Sequence, residues 1–276
     1  AFPDFSLTPV SEVRKSFIDS LPNSRLVTEE DELVLSLLSE EKIGQYMSFL
    51  DTGIDSGNVR EKLFSKSKSD RFSERLIQGR QISNWIVNWD SANAKFLYCD
   101  PKYIPTNSLG IGRGGKESKK KEYWGFRGDI QNHHKAERIL VRQTSDSVIA
   151  AFHSEKMDGH FYTDNTLFSC FSINEIPLKY FLAFLNSRLY HYVYQYLSAE
   201  QGKTLAQVKI GLLEVLPFRH NAALQDQVVA LVDLAIDAAR EGSSHDLIEL
   251  EDQIDEMVFQ IMEIPLETRE RLKKAK

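Results

Sequence analysis

The stretch from Glu137 to Leu197 constrains the fold more than any other, because the spacing of its apolar residues changes partway along it. Arg138-Ile139-Leu140-Val141-Arg142 and Ser147-Val148-Ile149-Ala150-Ala151-Phe152 are short and rich in β-branched residues. The polar Gln143-Thr144-Ser145-Asp146 separates them, as in a β-hairpin. A third run, Leu167 to Ile173, sets Leu167, Ser169, Phe171 and Ile173 on one face and Phe168, Cys170 and Ser172 on the other, the pattern of a strand in a partly covered sheet. Behind Pro177 the period becomes helical, with Leu178, Phe181, Leu182, Leu185, Leu189, Tyr192, Val193 and Tyr196 three or four apart. Proline is tolerated there because a first helical turn has no hydrogen-bond donor to lose. The expected fold class is α+β (mixed α/β): a twisted sheet covered by one long amphipathic helix.

Composition narrows the function classes. A chain of 276 residues can bury a sizeable core in one large domain or two small ones. No apolar run approaches the roughly 20 residues that span a bilayer, so no membrane partner is expected. Cys99 and Cys170 are too few for a disulfide framework and form no metal-type pair, which favours a reducing cytoplasm. Ala1-Phe2-Pro3-Asp4-Phe5 is not a signal peptide and reads as a cut from a longer chain. The net charge is -6, yet residues 60–150 hold 18 Lys and Arg against 10 Asp and Glu. A basic middle between acidic flanks can attract a polyanion locally; the plain alternative is a set of solvated Lys-rich loops.

Taken in order, residues 1–25 read as a linker or docking arm. Thr28 followed by Glu29, Glu30 and Asp31 predicts the start of a helix running to about Ser39. Ile43 to Leu50 predicts a short strand. Asp51-Thr52-Gly53-Ile54-Asp55-Ser56-Gly57-Asn58-Val59-Arg60 is a loop whose two glycines let backbone N–H groups approach a partner, with Asn58 and Arg60 as candidate contacts. Gly79 permits a bulge, and Arg80 beside that kink suits a bidentate contact to guanine or a phosphate clamp. Trp85 is read as core. Gly110 to Lys116 resembles part of a phosphate-binding loop, but Glu117 stands where Ser or Thr would ligate magnesium, so it is read as a flexible basic loop.

Arg113, Lys116, Lys119, Lys120 and Lys121 are candidate phosphate or base contacts, and Tyr123, Trp124, Arg127, His133 and Lys135 interleave rings with cations as a nucleic-acid surface does. The alternative for Trp124 is a lid over the sheet. Ala222 to Arg240, closed by Gly242, and Ser244 to Met262 predict a C-terminal helical hairpin.

Catalytic signatures are missing. Asp100-Pro101-Lys102-Tyr103 approaches the Asn/Asp-Pro-Pro-aromatic loop of amino-group methylation, but Lys102 takes the second proline position and it reads as a turn. Asp100 with Glu117-Ser118-Lys119 makes a poor nuclease site, since Glu117 lies among Gly, Ser and Lys. Nothing matches a nucleophile elbow.

Several words of the sequence, in this order, resemble one family: Gly53-Ile54-x-x-Gly57-Asn58; Leu76-x-x-Gly79-x-x-Ile82 before an aromatic; Arg138-Ile139-Leu140-Val141 before a hairpin; Tyr162-Thr163-Asp164-Asn165-Thr166 entering a strand; and Leu182-Ala183-Phe184-Leu185-Asn186-Ser187-Arg188-Leu189. They look like the TaqI-like C-terminal specificity domain of adenine-N6 DNA methyltransferases, related to the target-recognition domains of type I restriction specificity subunits. The resemblance implies a target-recognition domain over residues 26–220 followed by a helical region, 221–276. It implies double-stranded DNA as a partner, with a methyltransferase catalytic domain or subunit as the other. This chain would hold no cofactor and no catalytic residue, and S-adenosylmethionine would belong to the parent enzyme. A protein-interaction module with an incidental basic loop, and a piece of a fused restriction endonuclease-methyltransferase, are the competing readings.

Overall fold

The computed structural model describes residues 13–22, 31–91, 94–111, 117–128, 136–198 and 206–274. The first half runs through helices α1 (Lys15–Ser20) and α2 (Glu32–Leu37), strands β1 (Met47–Asp51) and β2 (Gly53–Asp55), and the one-turn helix α3 (Arg60–Leu63). Strands β3 (Phe64–Ser65), β4 (Glu74–Ile77), β5 (Tyr98–Cys99), β6 (Asn107–Ile111), β7 (Glu117–Lys121) and β8 (Gly125–Arg127) follow. The second half contains β9 (Arg138–Arg142), β10 (Ala150–His153), α4 (Glu155–Asp158), β11 (Tyr162–Thr163) and β12 (Leu167–Ser172). Helices α5 (Leu178–Leu185), α6 (Arg188–Ser198), α7 (Ile210–Leu213), α8 (Gln225–Glu241), α9 (Ser244–Ile261) and α10 (Leu266–Lys274) complete it. The mixture of open sheets and helices is α+β, as expected.

The central sheet has the order β1-β12-β9-β10 and is antiparallel throughout. The hairpin forms as the alternation predicts, with Val141 opposite Ala150, although β10 begins at Ala150 rather than Ser147. Period-2 alternation explains why β9 is buried on both faces. Ile139 and Val141 join the main core with Phe181, Leu182 and Leu185 of α5. Leu140 points the other way, into a smaller cluster with Ile77, Ile82, Phe161 and Leu167. That second face is covered by an unpredicted sheet, β11-β4-β5-β3, in which β11 runs parallel to β4. Its strands have two to four residues, too short for a periodicity argument.

The long covering helix is two helices. Side chains that hydrogen-bond to backbone compete with helix propagation, and Asn186 and Ser187 do so here. The Asn186 amide donates to Ala150 O and accepts from Ala150 N (3.0 and 3.1 Å), fixing the start of β10. Ser187 Oγ accepts from Tyr190 N (3.2 Å), opening α6. Apolar spacing continues across the break, so periodicity alone misses it.

Other elements differ by local chemistry. Helix α2 begins at Asp31, whose carboxylate caps Leu33 N and Val34 N; Thr28 lies outside the described residues. Ile43 to Leu50 divides into a 3-10 turn, Ile43–Gln45, and β1. The predicted hairpin of α8 and α9 forms, with Gly242 at φ 72° in the left-handed cap that glycine favours. Helix α10 was not anticipated. Phe17 and Leu21 of the N-terminal segment are buried in the same core as Val228, Val232, Ile254 and Phe259 of the terminal helices. Among the described residues no helix is long and apolar enough to cross a membrane.

The helical hairpin is latched to the sheet by polar contacts. Trp85, fully buried at φ 76°, donates its backbone N–H to Ala150 O and its indole N–H to Glu251. Asp255 accepts from Arg188 N and ion-pairs with its guanidinium at 3.0 Å. Burial nevertheless pushes the Asp255 carboxyl up to about 7, with Asp252 and Glu251 adding to the rise and Arg188 opposing it. A carboxyl raised in the folded state holds its proton more tightly than in the unfolded chain, so its contribution to stability falls as pH rises from about 4 to 7. Asp255→Asn is therefore expected to flatten the pH dependence of unfolding in that window. Denaturant unfolding at pH 4.5 and 7.5 measures it.

Candidate nucleic-acid interface

Beside the central sheet a cleft of about 490 Å³ gathers cations from four separated segments. Arg60 comes from the start of α3, Arg80 from the 3-10 turn Gly79–Gln81, Lys95 from the segment before β5, and Arg142 from the end of β9. Gln78, Gln81, Thr144 and Thr166 add neutral polar groups. Arg80 is exposed and Arg142 half-buried, and neither forms an ion pair among the described residues. Lys95 reaches Glu61 at 2.8 Å, but both are exposed and the pair is weak.

A buried carboxylate assembles these walls. Asp164, 1% exposed, accepts from Gln78 Nε2 at 2.6 Å, from Thr166 N at 3.0 Å and from the Thr166 hydroxyl, and lies 3.5 Å from Arg60 Nη2. Thr166 Oγ1 in turn accepts from Gly79 N at 2.7 Å, so Asp164 fixes the turn that carries Arg80. Its backbone donates to Ile77 O, while Asn165 N donates to Ile54 O of β2. Gly53, at φ 129°, is required here, since a Cβ would lie 2.6 Å from Asp164 O. Burial raises the Asp164 carboxyl, and the bonds from Thr166, Gln78 and Arg60 oppose that rise. The guanidinium of Arg60 is also held over the rings of Phe96 and Phe64, at 5.5 and 5.8 Å.

Residues 112–116 of the expected flexible loop lie outside the described residues; on either side of them β6 and β7 pair as an antiparallel ribbon, with Lys119 opposite Leu109, Lys120 opposite Ser108 and Lys121 opposite Asn107. The sequence hides this pairing because Gly, Ser and Lys favour neither strand. At the ribbon's base, Glu122 accepts from Lys62 Nζ (2.5 Å), Tyr103 Oη (2.6 Å) and Thr106 N (2.9 Å), which hold its carboxyl down at about 2. Arg113, Lys116, His133 and Lys135 lie outside the described residues.

The remaining expected site residues fall around these two features. Asn58 clamps the ribbon's exit, its Nδ2 donating to Lys121 O and its Oδ1 accepting from Tyr123 N. Lys121 and Tyr123 are exposed. Trp124 is half-buried, its indole N–H donating to Tyr103 O and its ring edge-on to Phe126, so the reading as a lid describes part of it. Arg127 is half-buried and ion-paired with Asp55 at 2.9 Å and Asp51 at 2.8 Å, both partly exposed. Asp100 forms a turn, accepting from Lys102 N and pairing with Arg71. Lys95, Arg142, Thr144 and Asp164 were missed as site residues. Asp164 lies within Tyr162-Thr163-Asp164-Asn165-Thr166 and Arg142 directly follows Arg138-Ile139-Leu140-Val141, but Lys95 carries no sequence signal.

The family model of the TaqI-like C-terminal specificity domain matches residues 40–218, more than half of the chain. The chain belongs to that family. No curated protein sequence matches this TaqI-like domain. Among solved structures, a chain from work on complex assembly and conformational transition of the type I R-M system aligns at 9% identity and a TM-score of 0.37, covering 81% of this chain and 44% of that one. The TaqI-like domain thus spans less than half of that neighbour, and at such a score the likeness carries no weight.

Removing a partner from a buried charged network costs about 3–5 kcal/mol. Asp164→Ala is therefore expected to lower the unfolding free energy by that order, whereas Asp164→Asn, which keeps an acceptor for Thr166, costs less than half as much. Urea unfolding compares them; equal losses show that packing alone matters at this position.

Proposed function

We propose that this chain reads the sequence of double-stranded DNA as the specificity portion of an adenine-N6 DNA methyltransferase of a restriction-modification system. The observation that carries the reading is the convergence of Arg60, Arg80, Lys95 and Arg142 on one polar cleft, in a chain whose family is named for specificity. Phosphate contacts supply affinity and salt dependence, while base-edge contacts supply discrimination. Arg60, held by Asp164, and Lys95 suit phosphates. Arg80, exposed on a rigid turn beside Gln78 and Thr166, is the candidate for a guanine edge, to which a guanidinium can donate two hydrogen bonds. Lys119, Lys120 and Lys121 of β7 are further candidate phosphate contacts, and Asn58 sets the ribbon's exit. No catalytic residue of methyl transfer is assigned to this chain; S-adenosylmethionine and the target adenine belong to a catalytic domain or subunit that partners it.

On this reading the catalytic part lies elsewhere on the molecule while the cleft holds DNA.

Duplex binding measured against salt tests the reading. The three phosphate contacts of the cleft, Arg60, Lys95 and Arg142, predict a slope of log affinity on log salt near roughly −2.7, and Arg142→Ala should reduce its magnitude by about 0.9. A slope near zero leaves only the interaction module. Arg80→Ala should cost about 1–3 kcal/mol at one base pair of the preferred site; a uniform loss over all sequences makes Arg80 a phosphate contact instead.

A further inference from the structure

Tyr123 is 62% exposed, and Ile104 on the facing segment is 78% exposed. A lone exposed aromatic is ordinary, but its mount is not. Asn58 fixes the Tyr123 backbone from both sides, donating from its own N to Tyr123 O (3.3 Å) and accepting at Oδ1 from Tyr123 N (3.0 Å). Gly57, at φ 49°, lies directly beneath: a Cβ there would sit 2.1 Å from Tyr123 O and 2.7 Å from the ring. Glu122, the preceding residue, is anchored by Lys62, Tyr103 and Thr106. One side of the ring is thus backed by a glycine and the rest faces water. A rigid ring presented this way loses little conformational freedom on contact, which is what makes aromatic anchors effective.

The mount is continuous with the cationic cleft. Asn58 stands two residues before Arg60, and α3 carries Arg60 into the cleft and Lys62 onto Glu122. Lys121, exposed, precedes the ring by two residues on the other side.

We propose that Tyr123 stacks on an unpaired nucleobase at the edge of the DNA held by the cleft. The inference rests on the DNA reading above and adds to it a preference for locally opened duplex. Base–aromatic stacking is worth about 1–3 kcal/mol per base, so the preference should be of the order of tenfold.

The test uses the chain as it stands with two duplexes of one sequence, fully paired or carrying a single bulged 2-aminopurine, at matched salt. The parent should bind the bulged duplex about tenfold more tightly and quench 2-aminopurine fluorescence. Tyr123→Phe should keep both effects and Tyr123→Ala should lose both, with the salt slope on the paired duplex unchanged in each. Equal affinity of the parent for the two duplexes, a preference that survives Tyr123→Ala, or one lost in Tyr123→Phe overturns the stacking role alone. Absence of salt-dependent binding to the paired duplex overturns the DNA reading, and the stacking role with it.

Discussion

The interface depends on one buried carboxylate. Ile54 of β2, Val59 and Leu63 around α3, and Leu76 before Gln78 already share a buried apolar cluster, and the Asp164 side chain adds the polar bonds that set how the loops above that cluster are spaced. A carboxylate in a dry site is costly unless its lone pairs are satisfied. Asp164 meets that condition by accepting from Gln78 and Thr166 and lying near Arg60, and each bond fixes a different wall of the cleft. The same network that makes burial tolerable thereby sets the spacing of the cations. Arg60 at 3.5 Å is its loosest member, near enough to be aimed and far enough to turn toward an arriving phosphate.

The scaffold behind the cleft is held by a second set of side-chain to backbone bonds. Asn186 fixes the first residue of β10, and the strained backbone of Trp85 continues the sheet beyond that edge. Because the Trp85 indole reaches Glu251, and Arg188 at the head of α6 reaches Asp252 and Asp255, the edge of the sheet and the helical hairpin are one mechanical unit. Residues 79–85 belong to both this unit and the cleft. A partner bound on the terminal helices would therefore sit a short packed distance from the residues proposed to meet DNA.

Sequence patterning made the large features legible where it was long enough to be periodic. The hairpin around Gln143–Asp146, the existence of β12 and the α8–α9 hairpin follow from spacing. Strands of two residues such as β3, β5 and β11 leave no such trace; Phe64 of β3 and Cys99 of β5 pack with Ile54, Leu63 and Leu76 in a cluster of their own. The break at Asn186 and Ser187 escaped detection for the opposite reason, since the apolar spacing runs through it unperturbed. Of the cations lining the cleft, Arg60 and Arg80 stand in or beside glycine-containing stretches that the sequence marks as candidates. Lys95 was not legible, because only tertiary pairing brings it beside them, and nothing in a lone Lys announces its neighbours.

Net charge gave the weakest guide, and the reason is instructive about how an acidic chain can present a cationic face. The basic middle does not act as a uniform field, because much of it is neutralised in place. Arg127 is bonded to Asp51 and Asp55, Lys62 to Glu122, and Arg71 to Asp100. Those pairs tie strands and ribbon together, and for that reason they are poorly disposed to meet phosphate. Arg80 and Arg142 differ in making no ion pair among the described residues while lining one concave surface. Coulomb attraction to a phosphate falls off with screening over about 8–10 Å at physiological salt, so unneutralised charge at the cleft outweighs a distant acidic excess on the helices. On the proposed reading, the place where a polyanion settles follows from which cations are left unpaired rather than from how many there are.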